Sequence, residues 1–187
     1  LVDELGKENY RKLKSLSHEP AAAASIGQVH TAVVDGQKVA VKIQYPGIDK
    51  SIDSDLRILK TLAENFLRVS SKPIDLTDLF KELALVLKLE ADYENEARNI
   101  EFYYEQLKDH DLFVVPKVFK ELSSKHVIVM EWIEGETLQQ WLSTKPEEQD
   151  KFRVSEAMLS LYMTELLQWG FVQTDPNFAN FLVQRDP

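Results

Sequence analysis

Residues 20–47, PAAAASIGQVHTAVVDGQKVAVKIQYPG, carry an alanine tract into two strand-like stretches and a lysine, and the fold is decided by how they are read. QVHTAVV and QKVAVKIQY are rich in β-branched residues and meet at Asp35-Gly36, a two-residue hairpin signal, because both central positions of the favoured turn need positive φ. Pro46-Gly47 closes the second strand. Ile48, Ile52, Leu56, Leu59, Ala63 and Phe66 then recur at helical spacing and predict a helix to about Val69, ended by SSKP. A long helix over about 75–108 follows, with Leu79, Leu83, Val86, Leu87 and Glu90 leading into the acidic run EADYENEARN. Upstream, residues 3 to about 16 read as a short amphipathic helix closed by SHEP.

Further along, LFVVPKVF and HVIVMEWI predict two strands returning to the same sheet, with SSK as their turn. Gly135 interrupts, helices are expected at about 137–142 and 147–169, and GFVQTDPNFANFLV reads as a loop entering a strand. Two strands, helices, two strands, helices, loop and strand make an α+β order rather than an alternating α/β one.

With 44% hydrophobic and 28% charged residues in a chain of 187, the composition is that of a globular protein able to bury a core. A formal charge of -9 without a basic stripe argues against nucleic acid as a partner. Cysteine is absent, which excludes disulfides, thiol catalysis and zinc-thiolate sites. No apolar run approaches the ~18 residues of a membrane span. The four histidines lack metal-ligand spacing, and Ser25 has no visible His and Asp partners for a triad. The opening LVDELGKENY, without an initiator Met or signal-like segment, and the closing FLVQRDP read as cuts through a longer protein.

Lys42 ends the strand VAVK between small apolar neighbours, where a kinase-like site uses a strand lysine to reach the α- and β-phosphates of ATP. A strand-end lysine alone is common; its surroundings decide. Ahead of it lies a loop in the position of a nucleotide-covering loop, yet AAAASIG replaces the usual glycines. Alanine restricts φ and adds a methyl, so the tract predicts a stiffer, helix-prone loop in which Gly27 alone is free. Far downstream, TDPNFAN sets Asp175 and Asn180 five residues apart, the separation of a catalytic-loop Asp and a Mg²⁺-ligating Asn, both hard oxygen donors. Three such motifs in the correct order are hard to obtain by chance. Candidates for the carboxylate orienting Lys42 are Glu90, Asp92 and Glu96; on one helix Asp92 and Glu96 share a face and Glu90 sits about 120° away. The stretch Glu131 to Gly135 follows an apolar strand where such folds join their lobes.

With PAAAASIGQVH, VAVKIQYPG, LEADYENEARN and GFVQTDPNFANFLV in view, the chain resembles the UbiB-like (ABC1, ADCK) atypical kinases, and most of all the mitochondrial branch that supports coenzyme Q biosynthesis. The resemblance implies a protein-kinase-like fold, with an N-lobe over residues 1–134 and a partial C-lobe over 135–187. It implies that Ala22, Ala23, Ala24, Ser25, Ile26, Gly27 and Gln28 form the family's alanine-rich nucleotide loop, with Glu131 beside the nucleotide. Lys42 becomes the ATP lysine, Glu96 its ion-pair partner, Glu90 and Asp92 a regulatory E-x-D pair, Asp175 the catalytic aspartate and Asn180 a Mg²⁺ ligand. It also implies ATPase activity coupled to a quinone-precursor lipid, coenzyme Q biosynthesis proteins as partners, and a place on the matrix side of the mitochondrial inner membrane. The family's K-x-G-Q helix precedes residue 1 and its D-F-G aspartate follows Pro187. Two other functions share the motifs: a pseudokinase scaffold that binds nucleotide or lipid without turnover, and a small-molecule phosphotransferase.

Overall fold

The computed structural model describes residues 1–69, 75–173 and 178–184. The chain forms two compact units, Leu1–Trp132 and Ile133–Pro187. In the first, α1 (Val2–Lys12) precedes three strands, β1 (Ala22–Ala24), β2 (Gly27–Val34) and β3 (Gln37–Gln44). Helices α2 (Ile48–Val69), α3 (Thr77–Glu90) and α4 (Tyr93–Leu107) follow, and β4 (Val127–Glu131) ends the unit's regular structure. The sheet is antiparallel in the order β1-β2-β3-β4. Asp35 and Gly36, at φ 50 and 85, form the expected tight turn between the paired residues Val34 and Gln37.

Strand alternation sorts the core into two clusters, one on each face of the sheet. Val39, Val41, Val127 and Val129 pack with Ala32, Val34, Leu122 and with Leu5 and Leu13 at either end of the α1 segment. Ile26, Ile128 and Val118 pack with Ile52 and Leu56 of α2 and with Ala91 and Tyr93 at the α3–α4 junction. Lys42 and Gln44 alternate with Val41 and Ile43 along β3, so both lie on the second face, toward those helices. This alternation brings a strand lysine to a helix carboxylate.

Four expectations are corrected. The alanine tract forms the edge strand β1, paired Ala22 to Val29 and Ala24 to Gly27, with Ser25 and Ile26 as the turn. Alanine's helix propensity is worth only tenths of a kcal/mol per residue and yields to pairing with a preformed neighbour. The 75–108 helix is two helices, because the chain breaks at Ala91 and Asp92, where the Asp92 carboxylate accepts the Asn95 N–H at 2.9 Å as the N-cap of α4. LFVVPKVF supplies only a single bridge, Val118 to Met130, since Pro116 has no N–H to give a ladder. The first helix ends at Lys12 and is kinked at Gly6, whose φ of 75 is left-handed. The SSKP break, residues 70–73, lies outside the described residues.

Glu4 and Asp49 flank His126, their carboxylates 2.8 Å from Nδ1 and 3.4 Å from Nε2, and fasten α1 and α2 to the edge of β4. Burial pushes the Glu4 carboxyl up, but hydrogen bonds from His126 and Ser124 outweigh it and hold it below its usual 4.5. A depressed folded value contributes stability above the unfolded value that is lost as pH falls through the folded one. Glu4→Gln is therefore expected to lower the melting temperature at pH 6.5, by a gap that narrows as the pH falls through the range where the folded protein's Glu4 carboxyl takes up its proton. An undiminished gap below that range would show that the carboxylate's charge plays no part.

In the second unit, β5 (Glu136–Thr137) pairs antiparallel with β6 (Leu182–Val183). Between them run α5 (Leu138–Ser143), begun by a Thr137–Gln140 capping box, and α6 (Glu148–Thr164). A wider helical turn over Glu165–Trp169 continues α6 to the expected end and stops at Gly170, φ 60. Among the described residues no helix is long and apolar enough to cross a membrane.

Candidate functional site

Lys42 is the centre of a built arrangement. It sits in mid-sheet, paired with Val29 on one side and Ile128 on the other. Its Nζ donates to both carboxylate oxygens of Glu96, each at 2.6 Å. The ammonium also lies 4.7 Å from the centroid of the Tyr93 ring. The pair is neither sealed nor fully solvated: the side chains are 16% exposed for Lys42 and 33% for Glu96, so solvent screening is reduced and the ammonium stays reachable.

Three features hold the start of α4 where Glu96 can do this. Asp92 caps the helix. Gln44, buried beside Lys42 on β3, donates its side-chain amide to the Ala91 carbonyl at 2.9 Å, satisfying a group that the helix break frees. Tyr93 is fully buried. Its phenol is pushed up by burial first and by the Glu96 and Glu90 charges second, so it remains protonated.

Of the three carboxylates singled out in the sequence, only Glu96 meets Lys42. Glu90, at the end of α3, accepts the Ser25 hydroxyl from the β1–β2 turn, which ties the alanine hairpin to the helix end. Asp92 is spent on the cap. Gly27 is buried rather than free: a Cβ there would collide with the Ile43 carbonyl oxygen and lie 2.7 Å from the Tyr93 hydroxyl. Ile26 belongs to the second core cluster, and Gln28 Oε1 accepts from His30 Nε2 at 3.1 Å. Ala22 and Ala23 stand exposed on the outer strand. Glu131 lies opposite Val39 and thus on the other face of the sheet from Lys42; its carboxylate accepts Gln37 Nε2 at 2.9 Å and the Lys117 N–H at 3.1 Å.

Asn180 closes a short 3-10 turn, Phe178–Asn180, directly before β6, and is exposed. Asp175 lies outside the described residues. Glu165, buried at the end of α6, accepts the Gln173 N–H at 3.2 Å and so fixes the chain that leads into TDPN. Sequence reasoning passed over Glu165, Gln44 and Tyr93. For Glu165 and Gln44 the one signal available was a charged or amide residue at an otherwise apolar position of its element. Among the described residues no group of three acidic, His or Cys side chains is placed to hold a metal ion.

Known proteins share the sequence and the fold of this chain. Residues 1–187 match the ABC1 atypical kinase-like domain. The mitochondrial atypical kinase COQ8B of Danio rerio is 40% identical over 97% of this chain and 29% of its own length. The mitochondrial atypical kinase COQ8 of Saccharomyces cerevisiae is 40% identical over 97% of this chain and 36% of its own. Rv3197 of Mycobacterium tuberculosis, solved in complex with erythromycin, superposes with a TM-score of 0.79 at 32% identity, covering 98% of this chain and 46% of that one. The chain thus spans about a third of the length of these curated relatives. The α+β arrangement is that of a protein-kinase-like N-lobe with helices added, and the chain belongs to the ABC1 atypical kinase-like family.

Proposed function

We propose that the chain carries most of the nucleotide site of an atypical kinase-like ATPase that binds Mg-ATP and supports coenzyme Q biosynthesis, on the matrix side of the mitochondrial inner membrane. One observation carries this reading: a mid-sheet ammonium held by both oxygens of a helix glutamate and still open to solvent. An ammonium has three N–H donors. Two are on Glu96, which leaves one, with the charge, for a phosphate oxygen.

ATP, when bound, would supply the phosphoryl group, and Mg²⁺ would neutralise the charge that develops on it. Lys42 would hold an α- or β-phosphate oxygen through its remaining N–H and its charge, and Glu96 keeps the ammonium from wandering. The Ala22–Gln28 hairpin covers the nucleotide. Its Ser25 hydrogen bond to Glu90 joins the cover to the E-x-D segment, which supports a regulatory part for Glu90 and Asp92. Glu131 acts through its position at the end of β4 rather than through its engaged carboxylate. Asn180 offers an amide oxygen to the metal, and Asp175 orients the attacking water by accepting its hydrogen bond. A quinone-precursor lipid and other coenzyme Q biosynthesis proteins are the proposed partners.

Thermal melting of the full-length protein with ATP or ADP, with and without Mg²⁺, tests the reading. Nucleotide at about 100 times its dissociation constant should stabilise by ~2.7 kcal/mol, and Asp175→Asn should remove the Mg²⁺-dependent share. A folded protein that melts with either nucleotide, with or without Mg²⁺, just as it melts without nucleotide has no such site and is a scaffold.

A further inference from the structure

We infer that Tyr93 is a positioning residue for Lys42, acting through the face of its ring rather than through its hydroxyl. The inference rests on the nucleotide-site reading of Lys42 and adds to it a group that the motifs do not name.

Two bonds to one carboxylate fix the distance of the ammonium from Glu96, yet leave it able to pivot about that carboxylate. The Tyr93 ring supplies a second fixed surface, 4.7 Å from Nζ, whose electron-rich face attracts the cation. The ring cannot move aside. It is wholly buried in the cluster with Ile26, Ile52, Leu56, Ala91 and Ile128, and its outer edge abuts β2 at Gly27. Lys42 is therefore held from two directions by residues three apart on one helix, Tyr93 and Glu96, which lie on the same face of α4.

The hydroxyl does something different. It is buried without a hydrogen-bond partner among the described residues, so it contributes nothing to the hold on Lys42. Removing an unpartnered buried polar group in favour of the same apolar shape is neutral or stabilising. Phenylalanine is thus the clean conservative variant: it keeps the ring face and deletes the idle hydroxyl. Leucine removes the face and leaves a smaller apolar group.

The experiment has two arms on the full-length protein. In the first, without nucleotide, the ¹⁵N-lysine ammonium signal of Lys42, assigned through Lys42→Met, is followed by NMR. It is expected to stay slowly exchanging with water in Tyr93→Phe and to broaden or vanish in Tyr93→Leu. In the second, ADP affinity is measured in Tyr93→Phe and Tyr93→Leu, each with Lys42 present and with Lys42→Met. Tyr93→Leu should weaken ADP on the order of fivefold when Lys42 is present. Tyr93→Phe should restore the affinity, and the leucine penalty should disappear in the Lys42→Met background.

A leucine penalty of equal size in both backgrounds, or a Lys42 signal that survives Tyr93→Leu, would mean that the ring only fills space and would overturn the inference. A penalty shared by Tyr93→Phe would move the role to the hydroxyl and overturn it equally. Failure of the parent to bind ADP at all would defeat the nucleotide reading instead, and the ammonium signal would then decide whether Tyr93 positions Lys42 in the protein alone.

Discussion

Lys42→Met should lower nucleotide affinity by one to two orders of magnitude while costing the unliganded protein little. The two effects separate because they draw on different interactions. In the free protein the lysine gives up a contact with Glu96 and a face of Tyr93. The pair is partly exposed, so its loss falls between the negligible value of a surface pair and the several kcal/mol of a sealed one, and about 1 kcal/mol is expected. Methionine retains most of the stem that packs on the sheet, which keeps the packing loss small. In the complex the missing ammonium is a charge-assisted donor to phosphate, worth about 1.5–3 kcal/mol. Isothermal titration with ADP, beside a thermal melt of the unliganded protein, reads both numbers. Unchanged affinity in a folded Lys42→Met protein would remove Lys42 from the site, whatever its geometry with Glu96.

The second large effect is on stability. Gly27→Ala should destabilise the protein by about 3 kcal/mol, because a methyl there meets a backbone carbonyl, Ile43 O, as well as the Tyr93 hydroxyl 2.7 Å away. Neither neighbour can yield cheaply. Ile43 is held in the β2–β3 ladder, paired with Gln28, and the Tyr93 ring is fixed in the core. In a chain of this size such a loss lowers the melting temperature by roughly 10 °C. Gly36→Ala is the control: its φ of +85 strains any side chain, but nothing lies within 4 Å of the new methyl. It should cost about 1–2 kcal/mol from backbone conformation alone. Equal melting of Gly27→Ala and the parent would place Tyr93 elsewhere than beneath β2.

How far the sequence could be read follows from the range over which each feature is determined. The Asp35-Gly36 hairpin was legible because two adjacent residues dictate the turn, and β3 with Lys42 because the alternation around VAVK is local. Helix α2 was legible from its apolar spacing alone. The α3–α4 break was not, because apolar and acidic residues continue at helical spacing through Ala91; what breaks the helix is a cap from Asp92 and a strap from Gln44, forty-seven residues earlier. The alanine strand failed for a related reason. A preference of tenths of a kcal/mol per alanine cannot be weighed against a neighbouring strand that the local sequence does not contain. The five-residue separation of Asp175 and Asn180 was visible as spacing, though Asp175 lies outside the described residues. The choice of Glu96 over Glu90 and Asp92 came from resemblance alone, since residue spacing left all three open. Tyr93 beneath Lys42 had no sequence signal beyond an aromatic set among acids.

In protein kinases generally, activity is switched by moving the helix that carries the glutamate away from the strand lysine. Here the start of that helix is stitched to the sheet by Gln44 and plugged into the core by Tyr93. An outward swing of Glu96 would uncover a buried aromatic ring and break the Gln44–Ala91 hydrogen bond in the same motion. The lysine–glutamate contact is accordingly preassembled, and its loss is coupled to a local melting of the core rather than to a hinge. A protein wired in this way keeps the Lys42–Glu96 contact closed in the resting state, with nothing bound to hold it there.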